Sequence, residues 1–227
     1  MKTLLCVPIT ASTPEGMARE IEAAAKAGAD MIGFNFYPPS PRYIEPETCQ
    51  WIVEEAKKRN FTALFIGVFV NEPVNSVINT LNACHLDLAQ LSGDEPPEDL
   101  IKLGERAYKG LRIRRKNYAV EEILRYPKRS SPPAWLIDAY SVGMYGETGE
   151  KSDWELARDL AAEYPILLAG GLNPQNVIEA MDRVQPWGVD VASGVESSAG
   201  CKDLTKVRLF IQTVKKRIYH ERYPEYI

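Results

Sequence analysis

The sequence predicts an α/β protein built as a single (β/α)8 barrel, and three observations lead there. Short apolar stretches alternate with amphipathic helical ones eight times along 227 residues, the pattern of a parallel sheet covered by helices. Twice between residues 164 and 196 an apolar strand runs straight into glycine: 166–169 into Gly170-Gly171, and 189–192 into Ser193-Gly194. Paired glycine ends of this kind match the phosphate site that barrels commonly place after strands 7 and 8. Finally, the rival doubly wound open sheet would want G-x-G-x-x-G after its first strand, and that motif is absent.

Taken in order, residues 3–7 read as a buried first strand. A helix follows over 15–27, with Met17, Ile21, Ala24 and Ala25 on one face and Gly28 as its stop. The second strand covers 31–36 and leads into a proline-stiffened loop, then a helix over 47–59. The third unit pairs a branched strand over 62–70 with a helix over 74–83. The fourth pairs 86–91, ending at Ser92-Gly93, with a helix over 96–106. A weaker strand over 108–113 precedes a helix over 120–125. The sixth strand, 135–138, opens into a long glycine-rich loop over 139–152, and a helix spans 153–163. Asn173 and Pro174 mark the start of the helix after the seventh strand, as N-cap and first-turn residue. The eighth helix is expected over 204–217, leaving 218–227 as a polar, aromatic tail. No linker interrupts the series, so residues 1–227 form one domain.

Composition restricts the partners. The net charge of −4 favours neither nucleic acid nor an anionic membrane, while glycine loops and single arginines still allow small anionic ligands. The four cysteines, Cys6, Cys49, Cys84 and Cys201, make no C-x-x-C pair and suggest a reducing, cytoplasmic setting. The apolar start is too short for a signal-peptide core, and no apolar run approaches membrane-spanning length. His85 and His220 lack metal-ligand spacing, so no metal is expected.

Barrel enzymes carry their functional groups at the C-terminal ends of the strands and on the loops beyond. That rule selects Cys6, Arg42, Asn71, Ser92, Lys109 or Arg112, Asp138, Gly171, Ser193 and Gly194. Asp138 ends an apolar strand and is placed to donate a proton; its bland alternative is a turn-capping carboxylate. A thiolate at Cys6 would serve as a base, against the alternative of a small buried hydrophobe. Arg42 can hold a carboxylate in a bidentate pair or lie on the surface. Gly170, Gly171, Ser193 and Gly194 allow a phosphate to approach the backbone. The loop Gly143–Gly149 has the composition of a lid.

With these positions marked, the sequence resembles the phosphoribosylanthranilate isomerase family of tryptophan biosynthesis. The resemblance is carried by Gly28-Ala29-Asp30-Met31-Ile32-Gly33-Phe34, Tyr37-Pro38-Pro39-Ser40-Pro41-Arg42-Tyr43, Gly67-Val68-Phe69-Val70-Asn71 and Ala89-Gln90-Leu91. It continues through Asp138, Tyr145-Gly146-Glu147-Thr148-Gly149 and Asp153-Trp154. It ends with Leu168-Ala169-Gly170-Gly171-Leu172-Asn173-Pro174, Val189-Asp190-Val191-Ala192-Ser193-Gly194-Val195-Glu196 and Lys202-Asp203. It implies a cofactor-free Amadori rearrangement in a monomer or homodimer. Asp138 would be the acid and the strand 1 cysteine the base, with the aminobenzoate carboxylate on Arg42 and the phosphate on Gly170-Gly171 and Ser193-Gly194. Three departures stand out. Aligning Ile9-Thr10 with the family puts Val7 at the base position, and aligning Cys6 there requires one extra residue; side chains alternate along a strand, so only one of the two faces the mouth. Ser92 replaces a family histidine, and Glu147 adds a carboxylate to the glycine loop. A different phosphosugar isomerase or lyase, or a non-catalytic phosphometabolite-binding protein, are the competing readings.

Overall fold

The computed structural model describes residues 2–5, 14–112, 120–139 and 154–222. Eight strand–helix units follow one another: β1 (Lys2–Leu5), α1 (Pro14–Ala27), β2 (Met31–Asn35), α2 (Pro46–Lys58), β3 (Leu64–Phe69), α3 (Val74–Ala83), β4 (Leu88–Leu91), α4 (Pro97–Leu103), β5 (Ala107–Arg112), α5 (Val120–Leu124), β6 (Trp135–Asp138), α6 (Trp154–Glu163), β7 (Leu167–Ala169), α7 (Val177–Val184), β8 (Gly188–Asp190) and α8 (Leu204–Arg222). Each strand pairs in parallel with the next. β8 also pairs with β1, Lys2 opposite Gly188 and Leu4 opposite Asp190, so the order closes on itself as a barrel.

The strands' two-residue period divides the core into two layers. Met31, Ile66, Leu88, Tyr108, Leu136, Leu167 and Ala169 pack together inside the barrel. Their alternates, among them Ile32, Phe65, Ala89, Ile137, Leu168 and Val189, join the helices in the larger outer cluster. This phase decides which side chains reach the mouth. One pleat beyond the inner layer lie Gln90, Gly110, Asp138 and Asp190.

Most strand ends differ from the sequence expectation by one or two residues, and four larger differences have a physical reason. The helix after β7 begins at Val177, not at Pro174. Asn173 does accept backbone N–H groups through its Oδ1, from Gln175 at 2.9 Å and Asn176 at 3.1 Å. Those bonds close an Asx turn, and the Asn173 N–H donates in return to Asn176 Oδ1 at 2.8 Å. The turn is satisfied locally, so regular helix starts one turn later. The fourth helix ends at Leu103, and Gly104–Arg106 form a 3-10 turn, because Gly104 has φ 57°. A short antiparallel hairpin, β9 (Glu196–Ser198) and β10 (Cys201–Lys202), follows β8 after a single 3-10 turn at Ser193–Val195; nothing in the periodicity announces strands so short. Last, α8 continues through residues 218–222, so the expected tail is helical over its first half. Residues 223–227 lie outside the described residues, as does the lid candidate Gly143–Gly149.

Candidate active site

The C-terminal ends of the strands surround two adjoining cavities. The larger, about 380 Å³, is lined by Asn35, Ser40, Arg42, Gln90, Ser92, Arg112, Asp138, Asp190 and Ala192, among others. The smaller, about 270 Å³, is lined by Gly170, Gly171, Leu172, Val191 and Ser193. Asp138, Ala169, Asp190 and Ala192 belong to both. The depression therefore runs in one piece from Arg42 to the two glycine-bearing strand ends, with Asp138 in its shared wall.

Asp138 is the last residue of β6 and is half-buried. Its backbone is pinned by pairing with Arg112 on β5 and Ala169 on β7. Arg112, aligned with it on β5, lines the same cavity. Of the two basic candidates on β5, Arg112 is thus the one at the mouth.

Lys109 points the other way, as an odd residue in the pleat must. It is buried with Glu95, both side chains 2% exposed. Its ammonium donates to Glu95 at 2.5 Å, to the Gly93 carbonyl at 2.6 Å and to the Leu91 carbonyl at 3.2 Å. The other carboxylate oxygen, Oε1, accepts the N–H of Asn71 at 2.8 Å, and the Gly93 N–H reaches both oxygens, Oε2 at 2.9 Å and Oε1 at 3.1 Å. Asn71, at φ 55°, accepts the Asp94 N–H on its Oδ1 at 2.6 Å. Lys109 and Asn71 are accordingly parts of the brace that fixes the loops after β3 and β4.

That brace holds Ser92 at the mouth. Tyr108 donates from its hydroxyl to Gln90 Oε1 at 3.0 Å, and Gln90 Nε2 donates to Ser92 Oγ at 2.9 Å. The direction of this relay leaves the Ser92 hydroxyl proton to be donated elsewhere. Gly110 is open enough to admit it: a Cβ there would lie 3.0 Å from Ser92 Oγ.

Arg42 comes from the loop after β2, which is held by a bridge between Asn35 and Tyr43 and a bond from the Arg42 N–H to Ser40 Oγ at 3.1 Å. The expected bidentate carboxylate pair exists, but within the protein. Arg42 Nε donates to Glu196 Oε1 at 2.8 Å and Nη2 to Oε2 at 2.7 Å. Burial alone would raise the Glu196 carboxyl, yet the hydrogen bonds and charges of Arg42 and Lys202 hold it below the usual carboxylate range.

On the other side of the mouth, Gly170 and Gly171 take φ 100° and 62°, a region open to glycine and strained for other residues. Gly194 needs its missing Cβ for a different reason. A Cβ there would overlap the Leu172 carbonyl oxygen, so the loop after β8 sits directly on the loop after β7. Gly194→Ala should therefore cost about 1–3 kcal/mol of stability, as overpacking does, a loss that urea unfolding would measure; an unchanged midpoint would show that the two loops can part without cost.

The strands thus bring together Asp138, Arg42, Gly170, Gly171 and Ser193 around one depression. Gly194 stands behind it, supporting the loop. Cys6, and with it the choice between Cys6 and Val7, lies outside the described residues. The expectation also passed over Gln90 and Asp190. For Asp190 a signal was present: with Val189 and Val191 on the outer face, the acid between them must face inward. The arrangement is that of a barrel enzyme with a carboxylate, an arginine and a glycine-lined pocket grouped at the C-terminal mouth.

Comparison with known proteins narrows this class. The family of N-(5'phosphoribosyl)anthranilate (PRA) isomerases matches residues 15–213. The N-(5'-phosphoribosyl)anthranilate isomerase of Geobacter sulfurreducens is 42% identical over 192 residues, covering 85% of this chain and 91% of the relative. That of Myxococcus xanthus is 41% identical over 197 residues, covering 85% and 89%. Among solved structures, the phosphoribosyl anthranilate isomerase of Thermotoga maritima superposes with a TM-score of 0.77 at 33% identity, over 95% of this chain and all of its own. Another such isomerase, at 32% identity, TM-score 0.77 and the same coverage, is in complex with reduced 1-(O-carboxyphenylamino)-1-deoxyribulose 5-phosphate. The chain belongs to the N-(5'-phosphoribosyl)anthranilate isomerase family, and is an isomerase of tryptophan biosynthesis. Arg42, Asp138, Gly170, Gly171, Ser193 and Gly194 fall within the matched span; Cys6 precedes it.

Proposed function

We propose that this single (β/α)8 domain rearranges N-(5-phosphoribosyl)anthranilate with Asp138 as general acid and Cys6 as general base. Asp138 protonates the furanose ring oxygen, and the C1–O bond breaks to leave a Schiff base. Cys6 takes the C2 proton of the sugar, giving an enol that tautomerises to the 1-deoxyribulose product. The protons balance, one given and one removed, so the step calls for an acid, a base and anchors. The phosphate lies in the cradle of Gly170, Gly171 and Ser193, whose loop Gly194 seats against the loop after β7. The anthranilate carboxylate lies on Arg42, whose guanidinium Glu196 holds at the edge of the cavity.

The observation that supports this assignment most is the continuity of the depression. Arg42 lines one end, the glycine strand ends the other, and Asp138 the wall common to both. A substrate with a carboxylate at one end and a phosphate at the other would pass its sugar across Asp138. We place the enzyme in the cytoplasm on the strength of its cysteine pattern, as a monomer or homodimer. Among the described residues, no helix is long and apolar enough to cross a membrane.

The deciding assay is the loss of anthranilate fluorescence when purified protein meets freshly made phosphoribosylanthranilate. The parent should turn it over. Cys6→Ser should lower kcat by at least about tenfold with phosphate inhibition unchanged, a hydroxyl being a far weaker base than a thiolate. Parent-like turnover by the serine variant would remove Cys6 from the mechanism, and an inert parent would favour another phosphosugar or a binding role.

A further inference from the structure

The Arg42 partner is better built than a chance ion pair. The Glu196 side chain is 4% exposed and four donors reach its two oxygens. Oε1 accepts Arg42 Nε at 2.8 Å and Lys202 Nζ at 3.1 Å; Oε2 accepts Arg42 Nη2 at 2.7 Å and the Gly200 N–H at 3.3 Å. Lys202, fully buried, is itself tied to the Ala192 carbonyl at 2.6 Å. Lys206 donates to the Glu196 backbone carbonyl at 2.9 Å. Lys202 and the Gly200 N–H hold the carboxylate independently of Arg42, and Arg42, 23% exposed, is the member that lines the cavity.

We propose that Glu196 is a positioning residue: it fixes the plane and reach of the Arg42 guanidinium so that the substrate's carboxylate meets it at a set distance from the phosphate cradle. This rests on Arg42 being the carboxylate anchor. A guanidinium on a long flexible stem loses rotamer freedom when it binds. One held beforehand by a bidentate partner has already lost it, and the substrate meets a prepared donor edge. The hairpin that carries Glu196 starts at the 3-10 turn whose first residue, Ser193, lines the phosphate end. Glu196 thereby links the two anion subsites through a few residues of backbone. The Arg42–Glu196 pair also ties the loop after β2 to that after β8, across the mouth from Asp138.

The test is a kinetic cycle on the intact enzyme with phosphoribosylanthranilate as substrate and inorganic phosphate as competitive inhibitor. Glu196→Gln should raise KM by about tenfold while kcat changes less than about twofold, the pattern of a lost ground-state anchor. Phosphate inhibition should hold, and Glu196→Asp should fall between parent and Gln. In Arg42→Ala, adding Glu196→Gln should cost nothing more, because there is no guanidinium left to position. A merely structural glutamate would add its penalty to that of Arg42→Ala and weaken phosphate as well. An unchanged or lower KM in Glu196→Gln, or an additive double variant, overturns the proposal. Should Glu196→Gln fail to fold, the same readings on Glu196→Asp decide. If Arg42→Ala itself leaves KM unchanged, the anchor assignment fails first; if Arg42→Ala raises KM and Glu196→Gln does not, the positioning role alone fails.

Discussion

Asp138→Asn should lower kcat by about two to four orders of magnitude with KM nearly unchanged, the usual scale for losing a positioned acid. Asparagine keeps the shape and one hydrogen-bonding oxygen, so binding contacts survive while the transferable proton is lost. The backbone leaves little room for compensation, since Asp138 is paired on both sides, to Arg112 and to Ala169. A second carboxylate, Asp190, lines the same cavities and supplies the control. If Asp138 is the acid, Asp190→Asn should retain far more of kcat than Asp138→Asn. The fluorescence assay under saturating substrate measures both. A near-normal kcat in Asp138→Asn would exclude it as the acid, and a collapse confined to Asp190→Asn would move the role there.

What the sequence made legible follows from where the physical signal is local. The units around the barrel could be read because each strand is a short apolar run and each helix has an apolar face with a glycine or proline near its ends. Asp138 could be read because a lone acid closes an otherwise apolar strand. The glycines after β7 and β8 could be read because positive φ and close backbone approach both call for glycine there. Arg42 was legible as a carboxylate binder; that its bidentate partner would be Glu196 was not, because 154 residues separate them and no periodicity links a loop after β2 to a hairpin after β8. Lys109 could not be told from Arg112 until the pleat was fixed: β5 reads weakly, and a one-residue slip exchanges the faces. The hairpin of β9 and β10 and the helical first half of the supposed tail were missed for related reasons. Strands of two or three residues carry no period, and the polar stretch 218–222 has little apolar face to mark it as helix.

The brace beneath Ser92 is expected to carry a large share of the stability. Lys109→Met removes the cation and leaves Glu95 buried against Asn71 and Gly93 without it. Breaking one side of a buried pair costs about 3–5 kcal/mol, a large part of the roughly 5–15 kcal/mol that stabilises a typical domain. For a chain of this size it corresponds to a fall in Tm of about 6–20 °C. Because the Glu95 carboxylate accepts two backbone N–H groups as well as the ammonium, the second change is chosen to remove charge and keep an acceptor. Lys109→Met combined with Glu95→Gln should therefore recover part of the loss, by about 0.5–3 kcal/mol of coupling. Glu95→Leu should not, since it leaves Asn71 and Gly93 without an acceptor. Urea and thermal unfolding of the three variants, followed by intrinsic fluorescence, separate these terms. A Tm within two or so degrees of the parent for Lys109→Met would mean that the pair adds nothing net, and that the loops after β3 and β4 are held by their backbone contacts instead.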